Sequence, residues 1–126
     1  MSVRHISTGS PFEAKIGYSR AVVADGLVHV AGTTGYDYAT MTMPEAITDQ
    51  CRNALATIDA TLKQAGTGLD HVVRATYILP DRADWEPCWP ILSQAFATAL
   101  PAATVFFAGL QTPEMKIEIE VTARVP

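Results

Sequence analysis

The sequence predicts an α+β fold in which two amphipathic helices cover one face of a mixed β-sheet. Three observations carry that expectation. Residues 18–35 hold a hairpin signature, two long stretches place apolar residues at helical spacing, and the last dozen residues alternate strictly between apolar and polar. The expected order is β-β-α-β-α-β-β, with a further short strand near "VRHIS", and residues 1–126 are read as a single domain.

The hairpin comes first. Two β-branched runs flank Asp25-Gly26, a pair that tolerates the positive φ angles of a tight two-residue turn. In its second arm Leu27, His29 and Ala31 share one face and Val28 and Val30 the other, and Tyr18 and Arg20, two residues apart, share a face if extended. Thr42, Pro44 and Glu45 resemble a capping box with an early proline, and so the first long helix is expected to begin there. Its apolar stripe is Ile47, Cys51, Leu55, Ile58, Leu62 and Ala65, and Gly66 supplies the stop.

"HVVRATYIL" reads as a strand. The second helix carries the stripe Trp85, Trp89, Leu92, Phe96 and Ala99, with Asp84 as N-cap, and Pro90 predicts a kink or a late start. "AATVFFAG" is apolar on both faces, the pattern of a strand covered on both sides. In "MKIEIEVTARV", Met115, Ile117, Ile119, Val121 and Ala123 form one face, and Lys116, Glu118, Glu120, Thr122 and Arg124 form the other. That Glu-bearing row is too ordered for random surface and is expected at an interface or cavity between subunits. Glu118 is read as a structural acid paired with Lys116 or Arg124, and Phe106 and Phe107 point to opposite faces.

Composition narrows the partners. The chain is 48% hydrophobic and only 17% charged, below the roughly 25% charged content of average domains, which predicts a homo-oligomer that buries extra apolar surface. The formal net charge is −4 and the basic residues are scattered, which gives no footprint for nucleic acid. No apolar run approaches the ~18 residues of a membrane span, and the first ten residues have no secretory apolar segment, so a cytoplasmic protein is expected. Cys51 and Cys88 are expected as buried thiols. His5, His29 and His71 lack ligand spacing, so no metal site is expected, and neither a nucleophile elbow nor a phosphate loop is present.

"GYSRAVVADGLVHVAGTTG", the helix ending "LKQAG", "LDHVVRATYILPDRADW" and "MKIEIEVTA" together resemble the Rid (YjgF-type) reactive-intermediate deaminase family, in order over nearly the whole chain. The resemblance implies a chorismate-mutase-like fold, a homotrimer whose sheets close into a central barrel, and small-molecule pockets between subunits. It implies hydrolysis of imines and enamines such as 2-aminoacrylate without metal or cofactor. An arginine would pair with the substrate carboxylate and a glutamate would position water. Tyr18 matches the family's pocket tyrosine, Gly32 and Thr33 its backbone wall, and Glu120 its catalytic "IEIE" carboxylate.

The departures are as specific as the matches. Ala103 stands in the arginine's place, Val105 where a small polar or thiol residue is common, Trp89 where a polar residue is common, and Ala31 where serine is frequent; Phe106 and Phe107 add bulk. Arg20 is a new cation where glutamine is usual, and is read either as a salt-bridge residue or as a substitute anchor. The expected function is therefore binding or hydrolysis of a small imine, enamine or carbonyl metabolite in an apolar inter-subunit pocket, without efficient 2-aminoacrylate deamination. The alternative is a non-catalytic ligand-binding or chaperone-like trimer. The acidic chain gives no support to ribonuclease activity.

Overall fold

Asp25-Gly26 turns the chain as expected: both residues hold positive φ (54° and 77°) and join Ala24 to Leu27 across the hairpin. The structure is a computed structural model that describes residues 2–126. In chain order it contains β1 (Arg4–Ile6), α1 (Pro11–Ile16), β2 (Ala21–Ala24), β3 (Leu27–Thr34), α2 (Ile47–Gln64), β4 (Val72–Leu79), α3 (Trp85–Ala95), β5 (Ala102–Phe107) and β6 (Glu118–Arg124). The six strands form one sheet in the order β1-β2-β3-β6-β4-β5. Only β4 and β5 are parallel, because α3 carries the chain back over the sheet between them; all other neighbours are antiparallel. The fold is thus the expected mixed α+β sheet.

Helices α2 and α3 pack on one face. Val28, Val30, Leu79, Ile119 and Val121 meet Cys51, Ile58, Leu62, Cys88 and Leu92 there, all buried. Helix α2 ends as its glycine predicts. Gly66 takes φ +85°, its N–H donates to the Lys63 carbonyl at 3.1 Å, and the Thr67 N–H donates to the Leu62 carbonyl at 3.0 Å. Both cysteines are free and buried; the adjoining Cys88 thiol and burial push the Cys51 thiol up. No helix among the described residues is long and apolar enough to cross a membrane.

Five local expectations are corrected. Helix α1 was not anticipated, although its signals are present. The Ser10 hydroxyl accepts from the Phe12 N–H, Pro11 opens the helix, and Gly17 closes it in the left-handed conformation. Helix α2 starts at Ile47 with Ala46 as N-cap and no side-chain cap, so Thr42, Pro44 and Glu45 lie ahead of it. Instead the fully buried Gln50 donates to the Pro44 and Glu114 carbonyls and accepts from the Lys116 N–H at 2.8–2.9 Å, tying the start of α2 to the approach to β6. Asp84 takes the N-cap position of α3 as expected, but its side chain makes no capping bond. Asp81 caps a single 3-10 turn, Arg82–Asp84, which runs into the helix, so α3 starts before Pro90 rather than at it. Trp89 is 49% exposed and stands edge-on to Trp85, while Cys88 takes the buried position. Strand β5 is a sheet edge with Ala102, Ala103 and Phe106 exposed; it has one strand neighbour and no cover on its outer face within the chain.

The sheet face opposite the helices has no element packed over it. It carries exposed His29, Arg74, Glu120 and Arg124, with half-buried Glu118 at one end. The alternation expected of β6 is therefore present, its apolar members inward and its acids outward.

Candidate functional site

Helix α1 and the end of β3 bring Tyr18, Arg20, Gly32 and Glu118 into one cleft. Gly17, at φ 99°, reverses the chain after α1, and the Tyr18 N–H is held by the Glu13 carbonyl at 3.0 Å. Arg20 follows at the entrance to β2. Gly32 lies where the β3–β6 pairing shifts register, and Thr34 is paired with Glu118 just beyond it. The cleft encloses about 60 Å³ and is also lined by Phe12, Tyr36, Tyr38 and Met115, room for a few water-sized groups.

Arg20 is only 1% exposed. Its Nη1 donates to the Gly32 carbonyl at 3.0 Å and the Thr33 hydroxyl at 2.7 Å, and its Nη2 donates to the Tyr18 hydroxyl oxygen at 3.4 Å. Thr33 in turn donates to the Ala31 carbonyl. Arg20 forms no ion pair among the described residues, and its Nε has no hydrogen-bond partner. Two acids act on it through space. Burial pushes the Glu13 carboxyl up, but the Thr8 and Ser7 side chains, the Thr8 N–H and the Arg20 charge bring it below its usual value. Burial and the Glu120 charge push Glu118 up, only partly opposed by Arg20. Burial also raises the Tyr38 hydroxyl.

The Glu118 carboxyl lies directly against Gly32: a Cβ built on that glycine would sit 2.8 Å from Glu118 Cδ. Glycine is therefore required there for close approach rather than for backbone freedom. A desolvated carboxyl, a phenol and a buried guanidinium within one small cleft can exchange a proton, donate one hydrogen bond outward, and hold a polar ligand atom in place.

Other expected site residues lie elsewhere. Glu120 does not line this cleft. It lies on the open sheet face, in a hollow with His29, Arg74, Thr76 and Thr122. Glu118 and Glu120 alternate onto the same face two residues, about 7 Å, apart, and the register with Thr34 puts Glu118 at the cleft end. Thr33 is fully buried and serves Arg20 rather than the cleft surface. Trp89 lines a separate apolar groove with Tyr77, Trp85 and Leu92. Ala103 and Val105 lie on β5, which β6 and β4 separate from β3; at about 4.8 Å per strand that is roughly 14 Å. One chain therefore does not unite the two groups of residues. Sequence reading missed Glu118, Tyr36 and Tyr38 as cleft residues; the alternating tyrosines of "YDY" were the available signal.

A mixed sheet covered on one face by two helices, with a small carboxyl–phenol–guanidinium cleft beside a short N-terminal helix, defines a small α+β protein. Residues 8–125 match the family model described as Endoribonuclease L-PSP, and the chain belongs to that family, which is the YjgF/Rid family. It is 34% identical over 94% of its length to the RutC family protein UK114 of Drosophila melanogaster, covering 86% of that protein. It is 31% identical over 96% of its length to the 2-iminobutanoate/2-iminopropanoate deaminase of Capra hircus, covering 90% of it. The crystal structure of Rv2704 from Mycobacterium tuberculosis, a member of the YjgF/YER057c/UK114 family, superposes with a TM-score of 0.89 at 38% identity, over 98% of this chain and all of that one.

Proposed function

We propose that this chain is a Rid-type protein that binds or hydrolyses a small imine, enamine or carbonyl metabolite, with Glu118 rather than Glu120 as its acid–base group. The observation that carries the reading is the Glu118 carboxyl, raised by burial and seated on Gly32 beside Tyr18 and Arg20. An acid of that kind protonates an imine nitrogen or orients a water toward the imine carbon. Water adds to the carbon, the carbon–nitrogen bond breaks, and a carbonyl compound and ammonia leave. No cofactor is called for. The likeness to proteins named as 2-iminobutanoate/2-iminopropanoate deaminases supports the reaction class.

The working unit in this reading is a homotrimer of single-domain chains in the cytoplasm. The exposed edge of β5 supports it, since its unpaired strand edge and exposed Phe106 are surface that a second copy would bury. Trp89, Ala103 and Val105 of a neighbouring copy would then complete the cleft. Alanine at position 103 offers a carboxylate nothing, so 2-aminoacrylate is a poor substrate. Generating 2-aminoacrylate in situ and following pyruvate tests this: no acceleration over the uncatalysed rate is expected, and clear acceleration refutes it. Sedimentation of the whole chain tests the trimer. A non-catalytic, chaperone-like role is the second reading, favoured by the exposed Trp89, Leu100 and Phe106.

A further inference from the structure

A fully buried guanidinium without an ion pair is uncommon, because desolvating a charge is costly unless its donors are satisfied. Arg20 meets part of that demand with three neutral oxygens: the Gly32 carbonyl, the Thr33 hydroxyl and the Tyr18 hydroxyl. This arrangement differs from a substrate anchor, which presents two free N–H groups to an incoming carboxylate. Here one nitrogen is engaged twice, another faces Tyr18, and Nε is sealed off.

The bond to Tyr18 has a directional consequence. Arg20 has no lone pair to offer, so it can only donate, and the phenol oxygen accepts. The Tyr18 hydrogen is then free to point away from Arg20, into the cleft that Tyr18 lines. A phenol that accepts from a cation is also a better donor, since hydrogen bonds in series polarise one another. The charges around the cleft act in the same direction. Arg20 is the cation there, Glu13 from α1 and Glu118 from β6 act on it through space, Glu120 acts on Glu118 from outside the cleft, and Tyr18 and Tyr38 are the remaining titratable groups. An entering carboxylate would meet more negative than positive charge and a guanidinium already engaged through Nη1 and Nη2.

We propose that Arg20 is a positioning residue that commits the cleft to ligands with a neutral hydrogen-bond acceptor, a carbonyl or an imine, by turning the Tyr18 hydroxyl outward and pinning the Gly32 wall. This rests on the cleft being the ligand site of the proposed function, and it deepens that reading by naming the ligand class. Arg20 acts through Tyr18 and Gly32 and need not touch the ligand.

The test uses two unreactive probes of the same shape, propanamide and propanoate, titrated into the full chain at pH 7 and read by the NMR shifts of the Tyr18 and Gly32 amides. Propanamide is expected to move both and propanoate to bind several-fold more weakly. Tyr18→Phe should weaken propanamide roughly 2- to 10-fold, the range for one neutral hydrogen bond. Arg20→Gln should weaken it by a similar factor, and the double variant by no more than either alone. Arg20→Lys, whose compact ammonium cannot serve three separated acceptors, gives the same cycle should Arg20→Gln not fold. Three results overturn the proposal: independent, additive losses in the cycle; propanoate binding more tightly than propanamide and lost in Arg20→Gln, which makes Arg20 an anion anchor; or no propanamide response at those two amides. Because neither probe reacts, the test stands if turnover is never found, and turnover with an additive cycle would remove this inference alone.

Discussion

Gly32→Ala should move the Glu118 carboxyl without unfolding the protein. An added Cβ would lie 2.8 Å from Glu118 Cδ and 3.1 Å from Oε1. Carbon atoms in contact prefer about 3.5–4.0 Å, so the carboxyl must retreat by roughly 1 Å. It is the end of a flexible, half-buried side chain on the open sheet face, so it can do so, and the stability loss should fall near the low end of overpacking, about 1 kcal/mol. Gly35→Ala is the control. There the added Cβ would sit 2.5 Å from both Cα and Cβ of Gln50 in α2, and a helix backbone cannot swing aside, so about 3 kcal/mol or more is expected. Urea unfolding gives both losses. The Glu118 carboxyl carbon, followed by NMR against pH, gives the second readout: its midpoint should drop in Gly32→Ala, because retreat toward water relieves the burial that raises it. Equal losses for the two variants, or an unmoved Glu118 midpoint in Gly32→Ala, would refute the reasoning.

Three further outcomes follow from the same contacts. Glu118 binds its proton more tightly folded than unfolded, so its contribution to stability is present at low pH and is lost as pH rises from its ordinary 4.5 through the raised midpoint; Glu118→Gln should flatten that part of the stability–pH curve measured by urea unfolding. Gln50→Ala strips the Pro44 and Glu114 carbonyls and the Lys116 N–H of a buried partner, and should cost about 3 kcal/mol or more by denaturant titration. Cys51 and Cys88 should ignore a thiol reagent in the folded protein and react fully in denaturant, since both are completely buried.

The parts of the fold legible in the sequence were those set by local chemistry. Asp25-Gly26 could hardly be anything but a tight turn, Gly66 stops α2 through its left-handed conformation, and the apolar alternation of β6 names its inner face. The site was harder for equally physical reasons. Glu118 and Glu120 point the same way, and only the register with Thr34 and the irregular pairing around Gly32 decide which one meets Tyr18. A charged side chain reads as surface by default, so nothing local announces that Arg20 is buried beneath the Tyr18 hydroxyl and two oxygens supplied by distant Gly32 and Thr33. Helix α1 is only six residues long, too short for periodicity to register, although Ser10 and Pro11 mark its start. Trp89 fits the apolar stripe of α3 by spacing, yet the buried line runs through Cys88, which a thiol's modest hydrophobicity does not advertise.

The central claim is that Glu118 is the acid of this chain and that position 103 lacks the carboxylate anchor. Pyruvate release from 2-aminoacrylate generated in situ, compared across the natural chain, Ala103→Arg and Ala103→Arg/Glu118→Gln, tests it most directly. The account predicts no acceleration by the natural chain, a gain of about tenfold or more once arginine is supplied, and loss of that gain when Glu118 is neutralised. Efficient turnover by the natural chain, or a gain that survives Glu118→Gln but not Glu120→Gln, would contradict it.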